Sequence, residues 1–146
     1  MSETHLSVPV TVLDDDESWS LLSAVHLGRL VLTVDGRPEI FPVNYVVQRR
    51  TVLFRTAEGT KLFGAVTSDE VLFEADDHTV ADGWSVIVRG EPAVLFGADE
   101  IHDAERAGLY PWIATPKLRF VRIIPKQITG RRFLFGPEPE DGSVPG

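Results

Sequence analysis

The sequence predicts a mainly β (α+β) fold: a small antiparallel barrel with short peripheral helices. Three observations predict it. β-type runs follow one another at close spacing, hairpin signals appear early, and the helical stretches are few and short with no β-α-β alternation. An apolar fraction of 43% over 146 residues supplies one core and not two. Residues 1–136 therefore read as a single domain. Residues 137–146, built from Pro, Gly and acidic residues, read as a disordered tail.

Asp14-Asp15-Asp16-Glu17 places carboxylates where a helix dipole favours them, ahead of Trp19, Leu21, Leu22 and Val25 at helical spacing, with Gly28 as the stop. The period then changes. Leu30 to Val34 is β-rich, Asp35-Gly36 is a two-residue hairpin signal, and Ile40 to Val47 resumes a strand with apolar residues on both faces. Pro42 cannot donate to a ladder, so it marks an edge, a bulge or an opening. Gln48-Arg49-Arg50 turns into Thr51 to Phe54, and Gly59 to Thr67 reads as a short helix with Leu62, Phe63 and Val66 inward. Val71 to Glu74 is a strand, Asp76 to Gly83 a loop, and Trp84 to Phe96 a long alternating strand bent at Gly90 and Pro92. Ala98 to Leu109 reads as a surface helix, and Leu118 to Ile124 as the last main strand, followed by a separate segment from Ile128 to Phe135.

A net charge of -8 argues against nucleic acid and against an anionic membrane surface as partners, because both require clustered cations. The longest apolar runs, such as Val43 to Val47, are too short to cross a bilayer, and Met1-Ser2-Glu3-Thr4 lacks the basic start of a secretion signal. The expected location is the cytoplasm. With no cysteine, disulfides, thiolate metal ligands and a cysteine nucleophile are excluded.

Phe54-Arg55-Thr56-Ala57-Glu58-Gly59-Thr60-Lys61 holds the most chemistry. Arg55 and Lys61 either solvate a turn or hold a phosphate. Cations have the wrong sign for a helix start unless an anion sits there too. Pro42-Val43-Asn44-Tyr45 is either plain strand or a backbone surface against a planar ring, with Asn44 as a polar contact. Trp84 and Ser85 are either a core aromatic and a loop hydroxyl or the wall of a pocket for a flat cofactor. His26 falls near the end of the first helix, where a structural role fits it. Asp76-Asp77-His78 and His102-Asp103 lack the spacing of a metal site. There is no G-x-S-x-G turn and no G-x-G-x-x-G loop, and no side chain stands out as a catalytic acid or base. The basic residues Lys117, Arg119, Arg122, Lys126, Arg131 and Arg132 are either barrel exterior or a surface for an anionic group, with Arg119 and Arg122 on opposite faces.

In order and spacing, Gly28-Arg29-Leu30, Asp35 to Tyr45, Phe54 to Lys61 and Gly83 to Gly90 resemble the pyridoxamine 5'-phosphate oxidase-like FMN-binding split-barrel family. Arg119 to Pro125 and Ile128 to Phe133 look like its small single-domain branch. The resemblance covers about residues 17–135, and the F-x-T-x-x-G-x-K segment is its most specific piece. It implies an antiparallel split barrel, an FMN cofactor and a homodimer with two cofactors at the interface. It also implies that Thr56, Thr60 and Lys61, with Arg55, contact the FMN phosphate and ribityl chain. The backbone of Pro42, Val43 and Asn44 would line the isoalloxazine edge, and Trp84 and Ser85 would add cofactor contacts. The implied activity is oxidoreduction of a small diffusible substrate. The C-terminal segment that larger members use for pyridoxal phosphate cannot be placed in this shorter sequence, so vitamin B6 oxidation is not the expected activity. The alternatives within the fold are an F420-binding reductase, for which Arg49, Arg50 or the C-terminal arginines would suit the charged tail, and a non-catalytic flavin-storage protein.

Overall fold

A computed structural model describes residues 9–66, 70–109 and 118–136. His5, Thr67, Lys117 and the tail 137–146 lie outside the described residues. The chain runs β1 (Val10–Leu13), α1 (Asp15–Leu22), β2 (Leu27–Val34), β3 (Arg37–Gln48), β4 (Thr51–Ala57), α2 (Lys61–Ala65), β5 (Val71–His78), β6 (Asp82–Val94), α3 (Ala98–Glu105) and β7 (Leu118–Leu134). All the pairings are antiparallel. The sheet order is β1-β7-β4-β3-β2-β5-β6, and pairing of β6 with β7 closes it into the expected barrel. Among the described residues no helix is long and apolar enough to cross a membrane.

The acidic start of α1 works as a cap: Asp14 accepts from the Glu17 N–H at 2.8 Å, and the Glu17 carboxylate reaches back to the Asp14 N–H. The helix does not run on to Gly28. It ends at Leu22, where the Ser23 hydroxyl donates to the Trp19 carbonyl at 2.8 Å and the Tyr45 hydroxyl donates to the Leu22 carbonyl at 2.6 Å. Gly28 instead lies inside β2, and the reason is steric. A Cβ there would stand 2.3 Å from Cζ of Phe73, a fully buried ring. Asp35-Gly36 makes the expected hairpin between β2 and β3, with φ of 52° and 77°.

Pro42 sits opposite Arg29 in β3, where the strand pairs with β2 alone, because the pairing with β4 spans only Tyr45 to Gln48. The opening inferred from its missing donor is therefore present. Other boundaries moved. Residues 76–78 belong to β5 and residues 82–83 to β6, so the predicted loop shrinks to Thr79-Val80-Ala81. The two C-terminal segments form one strand, α3 ends at Glu105, and α2 covers only Lys61–Ala65. β1 carried no sequence signal strong enough to be predicted: it is four residues long and pairs with β7 alone.

Alternation sorts the side chains into two layers. Leu30, Val43, Tyr45, Val52, Phe54, Phe73, Val86, Val88, Val121 and Ile123 fill the barrel interior, with the Tyr45 and Phe73 rings meeting edge-on at 4.6 Å. Leu53, Leu95, Leu109 and Phe120 form a second cluster on the outer face, where Ala104 of α3 covers them. Gly28→Ala should overpack the interior layer and lower unfolding stability by about 1–3 kcal/mol. Urea denaturation reads this as a lower midpoint, and an unchanged midpoint would show that Phe73 yields freely.

Candidate functional site

The barrel lines up one transverse row of residues. Asp76 lies opposite Ser85, Leu27 opposite Asn44, and Arg55 opposite Phe120. Extending the β2–β5 ladder by two residues and the β3–β4 ladder by one sets Leu27 beside Asp76 and Asn44 beside Arg55. Neighbours in such a row are about 4.8 Å apart. Because Val43, Tyr45, Phe54, Phe73 and Val86 point inward, Ser85, Asp76, Leu27, Asn44 and Arg55 all point outward. Asn44 and Arg55, both anticipated from sequence, are thus brought together. Ser85 lies on the same row four strands from Arg55, and its hydroxyl donates to Glu74 at 3.0 Å. Pro42 is exposed on the same outward side as Asn44, whereas the Val43 and Trp84 side chains belong to the interior core.

The end of β4 splits its two polar residues between layers. Arg55 shares the outer side of Leu53, and its guanidinium lies 4.5 Å from the centroid of the Phe120 ring. Its Nε is buried with no hydrogen-bond partner among the described residues. Thr56 is buried on the inner side, and its hydroxyl lies 3.3 Å from that of Thr60. Thr60 also donates to the Ala57 carbonyl at 2.7 Å and accepts from the Phe63 N–H at 3.1 Å, which fixes the turn around Gly59 (φ 81°). Lys61 follows, exposed. Glu58, the carboxylate of this turn, is taken by Arg119. Neither Arg55 nor Lys61 has a carboxylate partner among the described residues, although the chain is acidic. By contrast, Arg49 pairs with Asp103, Arg50 with Asp16 at 2.5 Å, Lys126 with Glu70 and Glu91, and Arg132 with Asp82.

Two clefts flank Asn44. The larger, about 460 Å³, is lined by Val25, Leu27, Arg29, Asp76 and Asp77 together with His26 and Asn44. The smaller, about 280 Å³, runs between His26, Asn44, Val46, Gly108 and Leu109. His26 is therefore not a helix-end residue. It stands in the link before β2, its carbonyl accepts the Tyr45 N–H at 2.9 Å, and it borders both clefts. Sequence reasoning passed over Arg29 and Glu74 and weighed Asp76 only as a loop metal ligand. For the two acids the signal was the alternation from Phe73 to Asp76, acid outward and apolar inward, obscured when Asp76 is assigned to a loop.

Arg29 is held by Glu74 at 2.8 Å and Asp76 at 2.7 Å. Burial pushes the Glu74 carboxyl above its usual range, and a hydrogen bond with Asp76 pushes the same way. That hydrogen bond, with help from the Arg29 guanidinium, holds Asp76 below its usual range. The two shifts act oppositely on stability. Glu74 favours the fold most below its unfolded pKa and loses that contribution as pH rises through its raised value. Asp76 favours the fold above its unfolded pKa and loses the contribution as pH falls through its lowered value. Side-chain carboxyl NMR should show Glu74 titrating above Asp76, and Arg29→Gln should move both upward. If the pair titrates together and ignores Arg29, this assignment fails.

Residues 14–132 match the family described as Pyridoxamine 5'-phosphate oxidase. The uncharacterized protein Rv3129 of Mycobacterium tuberculosis is 61% identical over 95 residues, spanning 65% of this chain and 86% of its own. A second protein of that organism, Rv0080, is 35% identical over 132 residues, 86% of each chain. Among solved structures, the FAD binding protein from Mycobacterium smegmatis is similar with a TM-score of 0.81 and 58% identity, over 86% of this chain and 100% of that one. A conserved protein of unknown function from Corynebacterium diphtheriae is similar at 0.75 and 40%, over 86% and 99%. With the barrel topology, these matches place the chain in the pyridoxamine 5'-phosphate oxidase family.

Proposed function

We propose that this chain binds a flavin nucleotide, with the phosphate held at the β4–α2 turn, and acts as an oxidoreductase on a small diffusible substrate. The observation that carries this is Arg55: a partly buried guanidinium, unopposed by any carboxylate among the described residues, whose Nε is buried without a partner. An orphaned donor in a folded protein is costly, and an anionic ligand would satisfy it. Lys61, the Thr56 and Thr60 hydroxyls and the Phe120 ring beneath Arg55 complete a site of the right chemistry for a ribityl phosphate. The FAD-binding relative supports a flavin. FMN and FAD both carry that ribityl phosphate, and FMN is the smaller ligand that meets these contacts.

When bound, a flavin supplies two-electron redox chemistry. The chain's own residues grip, orient and shield. The one-sided stretch of β3 at Pro42 to Asn44 offers backbone to a ring edge, and Asn44 adds a polar side chain beside Arg55. Leu27 and Ile40 are exposed on the same outward side at 50% and 64%, which supports a second copy of the chain covering this row in a homodimer.

A hydrogen bond to a charged group is worth about 1.5–3 kcal/mol. Arg55→Ala and Lys61→Ala should each weaken flavin binding by about tenfold to somewhat over a hundredfold. Parallel titrations with FMN, FAD and F420, read by flavin fluorescence, check this and rank the cofactors. If both variants bind as the unaltered chain does, the phosphate assignment is wrong. Saturable, NADPH-dependent reduction of a quinone by the loaded protein would separate an oxidoreductase from a storage protein.

A further inference from the structure

Resting on the flavin reading above, we propose that the 460 Å³ cleft on the β2–β5 side of Asn44 is the subsite for the second reactant, and that it selects small organic cations over anions. The cleft shares Asn44 with the row that bears Arg55, so a molecule seated in it lies next to whatever Arg55 and Asn44 hold. Val25 and Leu27 give it apolar wall.

Its charge is asymmetric. Besides His26, the charged lining is one cation, Arg29, against two carboxylates, Asp76 and Asp77. Arg29 is already committed, at 2.8 Å to Glu74 and 2.7 Å to Asp76. Turning to an incoming anion would strip the partly buried Glu74 of its partner, so this guanidinium is a poor anion receptor. Asp77 accepts one backbone N–H, from His78 at 2.8 Å, and its second oxygen has no partner among the described residues. An ammonium or quaternary nitrogen would find that carboxylate available, whereas a phosphate or carboxylate ligand would meet it as a like charge. The arrangement divides the site electrostatically: the β4 side of Asn44 receives an anion, while the cleft at the β5 end, lined by Asp76 of the outer row and by Asp77 at the next position, opposite Trp84, receives a cation. A phosphorylated substrate, of the kind for which the family is named, does not suit the β5 end.

The test uses the full chain, isotope-labelled, with and without FMN, and three rings of similar size: 1-methylnicotinamide as the cation, nicotinamide as the neutral form and nicotinate as the anion. Backbone amides of Leu27, Arg29, Asn44 and Asp77 should shift with the cation, which should bind about tenfold more tightly than the anion, and added salt should shrink that preference. Asp77→Lys should reverse the order. Equal or tighter binding of nicotinate, shifts confined to other parts of the barrel, or a preference indifferent to salt would each overturn the proposal. FMN titrated into the same samples separates the two readings. Flavin binding without cation preference defeats the subsite alone, whereas cation preference without flavin binding supports the subsite and defeats the cofactor assignment.

Discussion

The ladder between β6 and β7 is the constraint on which the rest of this structure depends. It runs from Asp82 opposite Leu134 to Val94 opposite Val121, and it joins the last strand to a sheet that would otherwise end with an open edge at β6. β7 also pairs with β4, and that ladder fixes where Phe120 lies relative to Arg55. Closure also forces every strand to commit one face inward. The outward row is the complement of that packed interior.

Charge is then distributed over a surface that closure has already defined. In an acidic chain most cations near a carboxylate find one, and Arg49, Arg50, Arg89, Arg119 and Arg132 do. Exposed pairs of this kind add little to stability. The residues that stand apart are those whose surroundings are set by the strand they occupy. Arg55 is held over an aromatic ring because β4 and β7 put it there. Arg29 lies between two acids because the β2–β5 register puts Glu74 opposite it.

Much of this was readable from residue pattern. The period-two runs, the Asp35-Gly36 hairpin and the acidic helix start identified the barrel and its direction, because each reports a local backbone requirement. Pro42 correctly marked an opening in the pairing. What pattern could not supply was the way distant strands meet. His26 looked like the last turn of a helix because Val25 continues the apolar spacing. The helix is cut short by bonds from Ser23 and from Tyr45, a residue more than twenty positions away. Gly28 looked like a stop for the same reason, and only the position of Phe73 explains it. Arg55 and Thr56 are adjacent in sequence and read as one clamp, yet alternation puts them on different layers, so the site gathers its polar groups from around the strand end.

Tyr45 is tied down twice. Its amide is bound to the carbonyl of His26 and its phenol to the carbonyl of Leu22, while its ring is wedged against Phe73. Burial pushes that phenol well above its usual pKa, so it remains a donor under all ordinary conditions. The segment between those two carbonyls is thereby strutted to the barrel wall before any ligand arrives. The entropy of ordering it is lost once, during folding, and need not be lost again on each encounter, so the molecule meets its ligand with one side of the receptacle already rigid.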